Sequence, residues 1–396
     1  MTAKTKSRKQ KPRVAFIVQR CGKEVNGGAE SLCLQVAQRM SNVWDTEILT
    51  TCALDYMTWE NHFPEGAEKC GDTTIRRFPN SDIRDIEAFN EFSIELHQRI
   101  QLCSMEEQQQ WMKMQGPNSN ALSTYIETHK NDFTAFIFFG YLYATTVHNL
   151  PKVADKSYLV PCAHDEWPIY FSMFDRFFAL PKKLVFNMDS EKAFLEQRFF
   201  HLKMDGPTAG IGIDLPDTTD SEGFIQKYII TPPYLLYCGR IDPSKGCTEL
   251  IEAFLLWKLR HSLPHQLVLV GNPAMEIPEH DDIIATGFVT LQEKWNAMAG
   301  CDWLMMPSKY ESLSMVLLEA WSIGKPALVN KQCDVLVEHC EVGKGGLSYE
   351  SWDEALDIIT QLPHTEYAKL ATQGQKYVQE KYNWPIICEK FKALLL

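Results

Sequence analysis

The most constraining stretch of this 396-residue chain runs from 307 to 326 and reads Pro-Ser-Lys-Tyr-Glu-Ser-Leu-Ser-Met-Val-Leu-Leu-Glu-Ala-Trp-Ser-Ile-Gly-Lys-Pro. From Met315 to Ile323 nearly every residue is apolar, which predicts a helix buried on all sides. Pro307 and the pair Ser312 and Ser314 mark its start, because a Ser side chain can cap the orphan N–H groups of a first turn. Gly324 and Pro326 mark its stop. Apolar runs at 303–307 and 326–330 predict that this helix joins two strands, as in a parallel sheet.

Glu319 falls inside that helix, where an ionised carboxylate is costly unless something hydrogen-bonds it. Glu311, eight residues earlier, falls in the loop before the helix. Between them lie the N-terminal amides of Ser312, Leu313, Ser314 and Met315, and such amides form an anion site. Two readings are open. In one, Glu319 pairs with a buried Arg and Glu311 merely solvates a loop. In the other, two carboxylates for sugar hydroxyls flank a phosphate cradle, which is a site for a nucleotide sugar.

The rest of the chain repeats the strand–loop–helix alternation. Residues 14–18 form a β-branched first strand, followed by a loop with Gly27 and Gly28 and a helix with Leu32, Cys33, Val36, Ala37 and Met40 at helical spacing. A strand, a Gly pair and a helix let backbone approach a pyrophosphate, although the spacing is not that of a dinucleotide fingerprint. Strands are predicted at 46–51, 136–139 and 157–161, and a helical region rich in Gln and Glu spans 82–130 with a break at 115–117. The strand at 157–161 runs into His164-Asp165-Glu166, at the carboxyl edge where parallel sheets place ligands. Residues 183–191 read as strand then helix, with Ser190 as its cap. Further on, strands at 234–238, 266–271 and 283–289 precede the opening stretch, and 331–336 and 343–346 read as loops. Arg240 and Lys245 leave the loop after the strand at 234–238, where a guanidinium fork and a point charge could hold a diphosphate.

Length and composition bound the function. The chain is long enough for two domains. A net charge of −12 argues against a nucleic-acid partner. The first 13 residues run the other way, with Lys4, Lys6, Arg8, Lys9, Lys11 and Arg13 and no acid. They read as a basic disordered tail, with contact to anionic lipid or polymer as the second option. Neither a secretory signal nor an apolar run of about 18 residues is found. Twelve scattered Cys without a C-x-x-C pair predict reduced, buried thiols in a cytosol, with neither disulfides nor zinc.

The phrase P-S-x-x-E-S-x-S-x-V-x-L-E-A-x-x-x-G-K-P resembles the E-x7-E signature of the retaining glycosyltransferases of family 4, which have the GT-B fold. Many members read E-G-F-G where this chain reads Glu311-Ser312-Leu313-Ser314. The phrase G-R-x-x-x-x-K-G at 239–246 is similar to the family's phosphate-binding pair, and His164-Asp165-Glu166 to its segment near the donor sugar. The likeness covers nearly the whole chain from Arg13. It implies two Rossmann-like domains facing a cleft: an acceptor-side domain over 13–214, a donor domain over 215–376, and a final segment, 377–396, crossing back to the first. The phrase at 210–214 would close the first domain, and 215–223 would be the linker.

The resemblance also implies a reaction. A hexose would move from a nucleoside-diphosphate sugar to a hydroxyl of a saccharide or lipid-linked acceptor, with retention of anomeric configuration, in cell-surface polysaccharide or glycoconjugate synthesis. Glu319 would take the ribose hydroxyls, Glu311 the donor sugar, and Arg240 and Lys245 the departing diphosphate. His164 would sit near the sugar, Gly27 and Gly28 near the phosphates, and Val289 near the nucleobase. No cofactor or metal is expected, since no Asp-x-Asp occurs in the chain. The setting would be cytoplasmic, with peripheral contact at the inner membrane face as an option. The rivals are a sugar-nucleotide epimerase of the same fold and a non-catalytic nucleotide-sugar-binding protein.

Overall fold

Apolar runs bounded by Gly, Pro and polar loops become the strands of two separate sheets in the computed structural model, which describes residues 11–25 and 27–396. The chain divides into a unit reaching to Ala209, to which Cys388–Leu396 also belong, and a second unit, Gly210–Ile387. The division falls at 209/210, so the phrase at 210–214 belongs to the second unit instead of closing the first. The expected linker differs too, because residues from Ser221 start a helix.

The first unit holds β1 (Arg13–Ile17), β2 (Asp45–Thr51), β3 (Gly66–Cys70), β4 (Thr73–Phe78), β5 (Ala135–Phe139), β6 (Ser157–Val160) and β7 (Lys183–Leu184). They lie in the order β3-β4-β2-β1-β5-β6-β7, parallel except for β3 against β4. Its helices are α1 (Gly28–Met40), α2 (Ile86–Gln98), α3 (Met105–Gln115), α4 (Asn120–His129), α5 (Ala144–Val147) and α6 (Asp189–Arg198). The helical region 82–130 is thus three helices. β5 reads Ala-Phe-Ile-Phe-Phe because both its faces are covered. Burying each Phe is worth roughly 1.5–3 kcal/mol.

The second unit holds β8 (Tyr234–Cys238), β9 (Gln266–Val270), β10 (Ile283–Gly287), β11 (Trp303–Met306), β12 (Ala327–Asn330) and β13 (Gly346–Tyr349), all parallel in the order β10-β9-β8-β11-β12-β13. Its helices are α7 (Ser221–Tyr228), α8 (Cys247–His261), α9 (Leu291–Gly300), α10 (Met315–Ser322), α11 (Asp334–Gly343), α12 (Trp352–Gln361) and α13 (His364–Lys381), and α14 (Trp384–Lys392) carries the chain end back into the first unit.

Each sheet reverses its winding direction once, between β1 and β5 in the first and between β8 and β11 in the second. Loops leaving the carboxyl ends on either side of such a reversal diverge and leave a crevice, the place where open α/β sheets bind ligands.

Several sequence expectations are corrected. Residues 331–336 and 343–346 are only partly loops: 334–336 and 343 belong to α11, and Gly346 starts β13, whose backbone lies against Ala327 of β12. Ser190 does not cap α6, which starts at Asp189 behind an extended Met188. Of the basic leader, Lys4, Lys6, Arg8 and Lys9 lie outside the described residues. Lys11 and Arg13 are anchored, Lys11 Nζ donating to the Ser41 carbonyl at 2.7 Å and Arg13 to Glu47 Oε2 at 2.5 Å. All twelve cysteines are unpaired thiols. Among the described residues no helix is long and apolar enough to cross a membrane.

Candidate active site

In the second unit, two motifs distant in sequence meet at the winding reversal. β8 ends at Cys238, and Arg240-Ile241-Asp242 turns into a 3-10 turn, Pro243–Lys245, ahead of α8. Asp242 is the organising residue. Its carboxylate accepts from Ser244 Oγ at 2.5 Å and from the Lys245 amide at 3.2 Å, and it pairs with the Arg240 guanidinium. Gly246 follows at φ +75°, and a Cβ there would sit 2.6 Å from the Pro307 carbonyl oxygen. Only glycine lets this turn pack against the end of β11. That contact brings Lys245 Nζ to Glu311 Oε1 at 2.8 Å, across 66 positions of sequence.

α10 begins past Glu311; Leu317 to Trp321, more than one full turn, are all buried, so the helix is covered all round there, and only its ends are half-buried. Ser314 stands at its N-cap at φ +61° and ψ +72°, and neither Ser314 nor Ser312 caps the helix through its side chain. The Ser314 hydroxyl is buried without a hydrogen-bond partner. The left-handed backbone explains why the capping expectation fails: an N-cap side chain reaches the first-turn amides from extended φ/ψ.

Glu319 is buried in α10, as its position required, and the cation that answers it is Lys294 of α9, whose Nζ donates to Oε1 at 2.6 Å. The reading in which Glu319 serves only as half of a buried ion pair expected an Arg there. The second oxygen, Oε2, is buried with no partner and stays open to a donor. Val289 is buried just past β10, and the exposed side chain there is its neighbour Phe288. Thr290 then caps α9 through a capping box with Glu293, and this fixes the helix that carries Lys294.

The first unit gathers its own set at the β1/β5 reversal. Gly27 precedes α1, and a Cβ on it would lie 2.2 Å from a carboxylate oxygen of Glu30. Glu30 folds back over the start of its own helix, and Arg20 Nε donates to its Oε1 at 2.7 Å. The anion facing this helix start is therefore the chain's own Glu30, while a Cβ on Gly28 would meet nothing within 4 Å.

His164 lies past β6 with Nε2 at 3.5 Å from Glu166 Oε2. The turn is closed by the Glu166 amide donating to the His164 carbonyl at 2.8 Å, and Tyr141 Oη donates to Glu166 Oε1 at 2.8 Å. Glu191 of α6 braces this turn from below, accepting from the Ala163 amide at 2.7 Å and the Asn187 amide at 2.6 Å. Burial pushes the Glu191 carboxyl up to about 8, against the pull of the backbone amides of Asn187, Ala163 and Met188. The Tyr141 phenol is raised well above its usual range, by burial and by the Glu166 charge.

Sequence reasoning therefore had Arg240, Lys245, Glu311, Ser312, Leu313, Ser314, Met315 and Glu319 in one region of the second unit, and the structure places them there. It missed Asp242, Lys294, Glu30 and Glu191. Asp242 was findable as an Asp before a Pro at the start of a turn. Lys294 carries no local signal, because its partner depends on which helix the sheet order sets beside α10. No cluster of three or more His, Cys, Asp or Glu suited to a metal occurs among the described residues.

Comparison with known proteins bears on both fold and segment. Residues 232–362 match the family model of the glycosyl transferases group 1. A lipopolysaccharide 1,2-N-acetylglucosaminetransferase of Salmonella typhimurium is 29% identical over 181 residues, 40% of this chain and 46% of that one. An O-antigen chain mannosyltransferase B of Escherichia coli is 25% identical over 179 residues, 40% and 45% of the two chains. The matched stretch thus spans a little under half of each curated relative. Among solved structures, sucrose-phosphate synthase from Thermosynechococcus elongatus superposes with a TM-score of 0.71 at 15% identity, covering 97% and 98% of the two chains. HepE of Anabaena, in complex with UDP and glucose, gives 0.66 at 16% identity, over 97% and 99%. The fold is GT-B, with two parallel-sheet α/β domains.

Proposed function

We propose that this chain is a retaining glycosyltransferase, moving a hexose from a nucleoside-diphosphate sugar to the hydroxyl of a saccharide or lipid-linked acceptor. The observation that carries the reading is the contact of Lys245 with Glu311, which joins the cation loop after β8 to the acidic loop before α10 at the winding reversal. The family match over 232–362 covers this region, and HepE, with the same fold, was solved with UDP-glucose.

In the proposed site Arg240 and Lys245 meet the diphosphate. Charge grows there as the bond to the sugar breaks, so fixed cations favour the transition state over the ground state. Glu319, with one oxygen held by Lys294 and the other open, takes the ribose diol. Glu311 takes a hydroxyl of the sugar once Lys245 turns to phosphate. The leaving phosphate oxygen accepts the proton of the incoming acceptor hydroxyl on the same face, which preserves configuration without a protein nucleophile. His164 is the first unit's candidate for turnover. The proposed reaction draws its positive charge from Arg and Lys and needs no divalent metal. Twelve unpaired thiols support a reducing, cytoplasmic setting.

The test is Glu319→Ala, assayed by calorimetry against UDP, GDP and ADP and their sugar forms. Donor affinity should fall while the fold survives. Unchanged affinity for the preferred donor would remove the ribose assignment. Conversion of donor without acceptor would favour an epimerase, and binding without any turnover a non-catalytic protein.

A further inference from the structure

Beneath the loop that carries Glu311 lies a buried polar chain in an otherwise apolar region. His339 of α11 has no solvent exposure. Its Nε2 stands 2.8 Å from the Leu313 carbonyl oxygen, and its Nδ1 stands 3.3 Å from Tyr377 Oη. Tyr377 Oη is in turn 3.1 Å from Tyr382 Oη. The ring of His339 packs edge-on against Trp321 and Tyr377 and tilted against Tyr382.

A carbonyl oxygen only accepts, so Nε2 carries a proton. With no solvent exposure and no carboxylate among its hydrogen-bond partners in the described residues, the buried ring is neutral, so Nδ1 is bare, accepts from Tyr377 Oη, and the tautomer is locked. Burial holds its pKa down, at about 4, so it stays neutral near neutral pH. Packing alone does not call for this arrangement. An apolar side chain would fill the volume without burying three polar groups that must satisfy each other. What the imidazole adds is a directed N–H at one carbonyl, and that carbonyl belongs to the residue before Ser314, whose backbone is left-handed. An ordinary helix start would need no such hold.

We propose that His339 is a positioning residue that fixes the backbone of the 311–314 loop through the Leu313 carbonyl, and thereby holds Glu311 in place for the donor sugar. The second half of this statement rests on the donor-site reading above, and the first half does not. Tyr377 and Tyr382 serve by fixing the tautomer.

The experiment compares the wild-type chain with His339→Leu, His339→Gln and Tyr377→Phe. Gln places an amide N–H close to the position of Nε2, whereas Leu keeps volume and loses the donor. Hydrogen exchange of the 309–316 backbone is read first. Leu should speed it about tenfold, the factor that one lost net hydrogen bond of 1.4 kcal/mol implies, and Gln should restore protection. Tyr377→Phe keeps the ring and removes only the hydroxyl; it should loosen the loop in the same direction, and carries the test if the Leu variant does not fold.

Calorimetry with UDP-glucose and free UDP is read second, or with GDP-mannose and GDP if the wild type prefers guanosine. The Leu variant should lose affinity for the sugar nucleotide by more than it loses for the free diphosphate. Unchanged loop exchange in both the Leu and Phe variants, or a Gln variant no better than Leu, would overturn the latch. Equal losses for sugar nucleotide and free diphosphate would overturn its link to Glu311. A wild type that binds no nucleotide would sink the donor reading instead, while the exchange comparison still decides the latch.

Discussion

Ser314→Gly should make the second unit more stable and bind donor less well. Ser314 sits at φ +61°, a backbone region that costs an L-residue roughly 1–2 kcal/mol and glycine almost nothing. Its hydroxyl is buried with no partner, a further burden of about 1 kcal/mol or more. Against these gains stands the extra freedom of glycine in the unfolded chain, about 0.4–1 kcal/mol. The small void left by the side chain subtracts a few tenths more, at about 24 cal/mol per Å³ of cavity. The net expectation is stabilisation of about 1 kcal/mol. For a unit of this size that raises the midpoint by roughly 2–4 °C. Scanning calorimetry of the parent and variant, with the transition of the second unit followed separately, measures it. If the orphan hydroxyl faces the donor, affinity for the nucleotide sugar should fall in the same variant, since strained and unsatisfied groups concentrate where ligands bind. A midpoint that drops would refute the reasoning, because it would mean that the hydroxyl has a partner and the left-handed backbone carries no cost.

Three more expectations concern catalysis and pH. His164→Ala should lower turnover far more than affinity for a free nucleoside diphosphate, and equal losses would make His164 structural. Activity of the parent should survive a chelator, and Arg240→Ala with Lys245→Ala should abolish it beyond rescue by manganese. By comparison with about 3–4 kcal/mol per lost oxyanion donor, that pair should cost several kcal/mol in the transition state. Activity that vanishes with chelator and returns with manganese would show the charge assignment to be wrong. The Glu191 carboxyl has a folded-state pKa raised to about 8 from an ordinary 4.5, so the folded state holds its proton longer than the unfolded chain. Its contribution is full below about 4.5 and is lost as pH rises through 8, at about 1.4 kcal/mol per pH unit. Urea midpoints at pH 5, 7 and 8.5 should therefore fall more steeply in the parent than in Glu191→Gln; parallel slopes would rule the buried acid out.

What the amino-acid sequence determines by itself is the layered α/β plan and the loops in which the second unit's candidate site residues fall. Strands covered on both faces must be apolar throughout, so Phe136-Ile137-Phe138-Phe139 and Leu267-Val268-Leu269-Val270 stand out as runs. Gly246 and Gly324 are readable for the same local reason, since each stands at positive φ beside a helix end. Where a strand lies exposed at the edge, as Gly66–Cys70 does, no apolar run betrays it. Residues 334–336 and 343, read as parts of loops, belong to the two ends of α11, whose buried face includes His339, a polar residue that only a partner makes tolerable.

Only tertiary structure decided the pairings that give the site its chemistry. Lys294 answers Glu319 and Lys245 answers Glu311 because the sheet order sets α9 beside β8 and α10, and β8 beside β11. Neither partner lies within a helical turn or a strand register of the other, so no spacing in the chain encodes them. Local sequence sets the shape of each element through short-range sterics and burial. The answer to a buried charge comes from whichever element the finished sheet brings within about 3 Å of it, and that distance exists only after the strands have found their order.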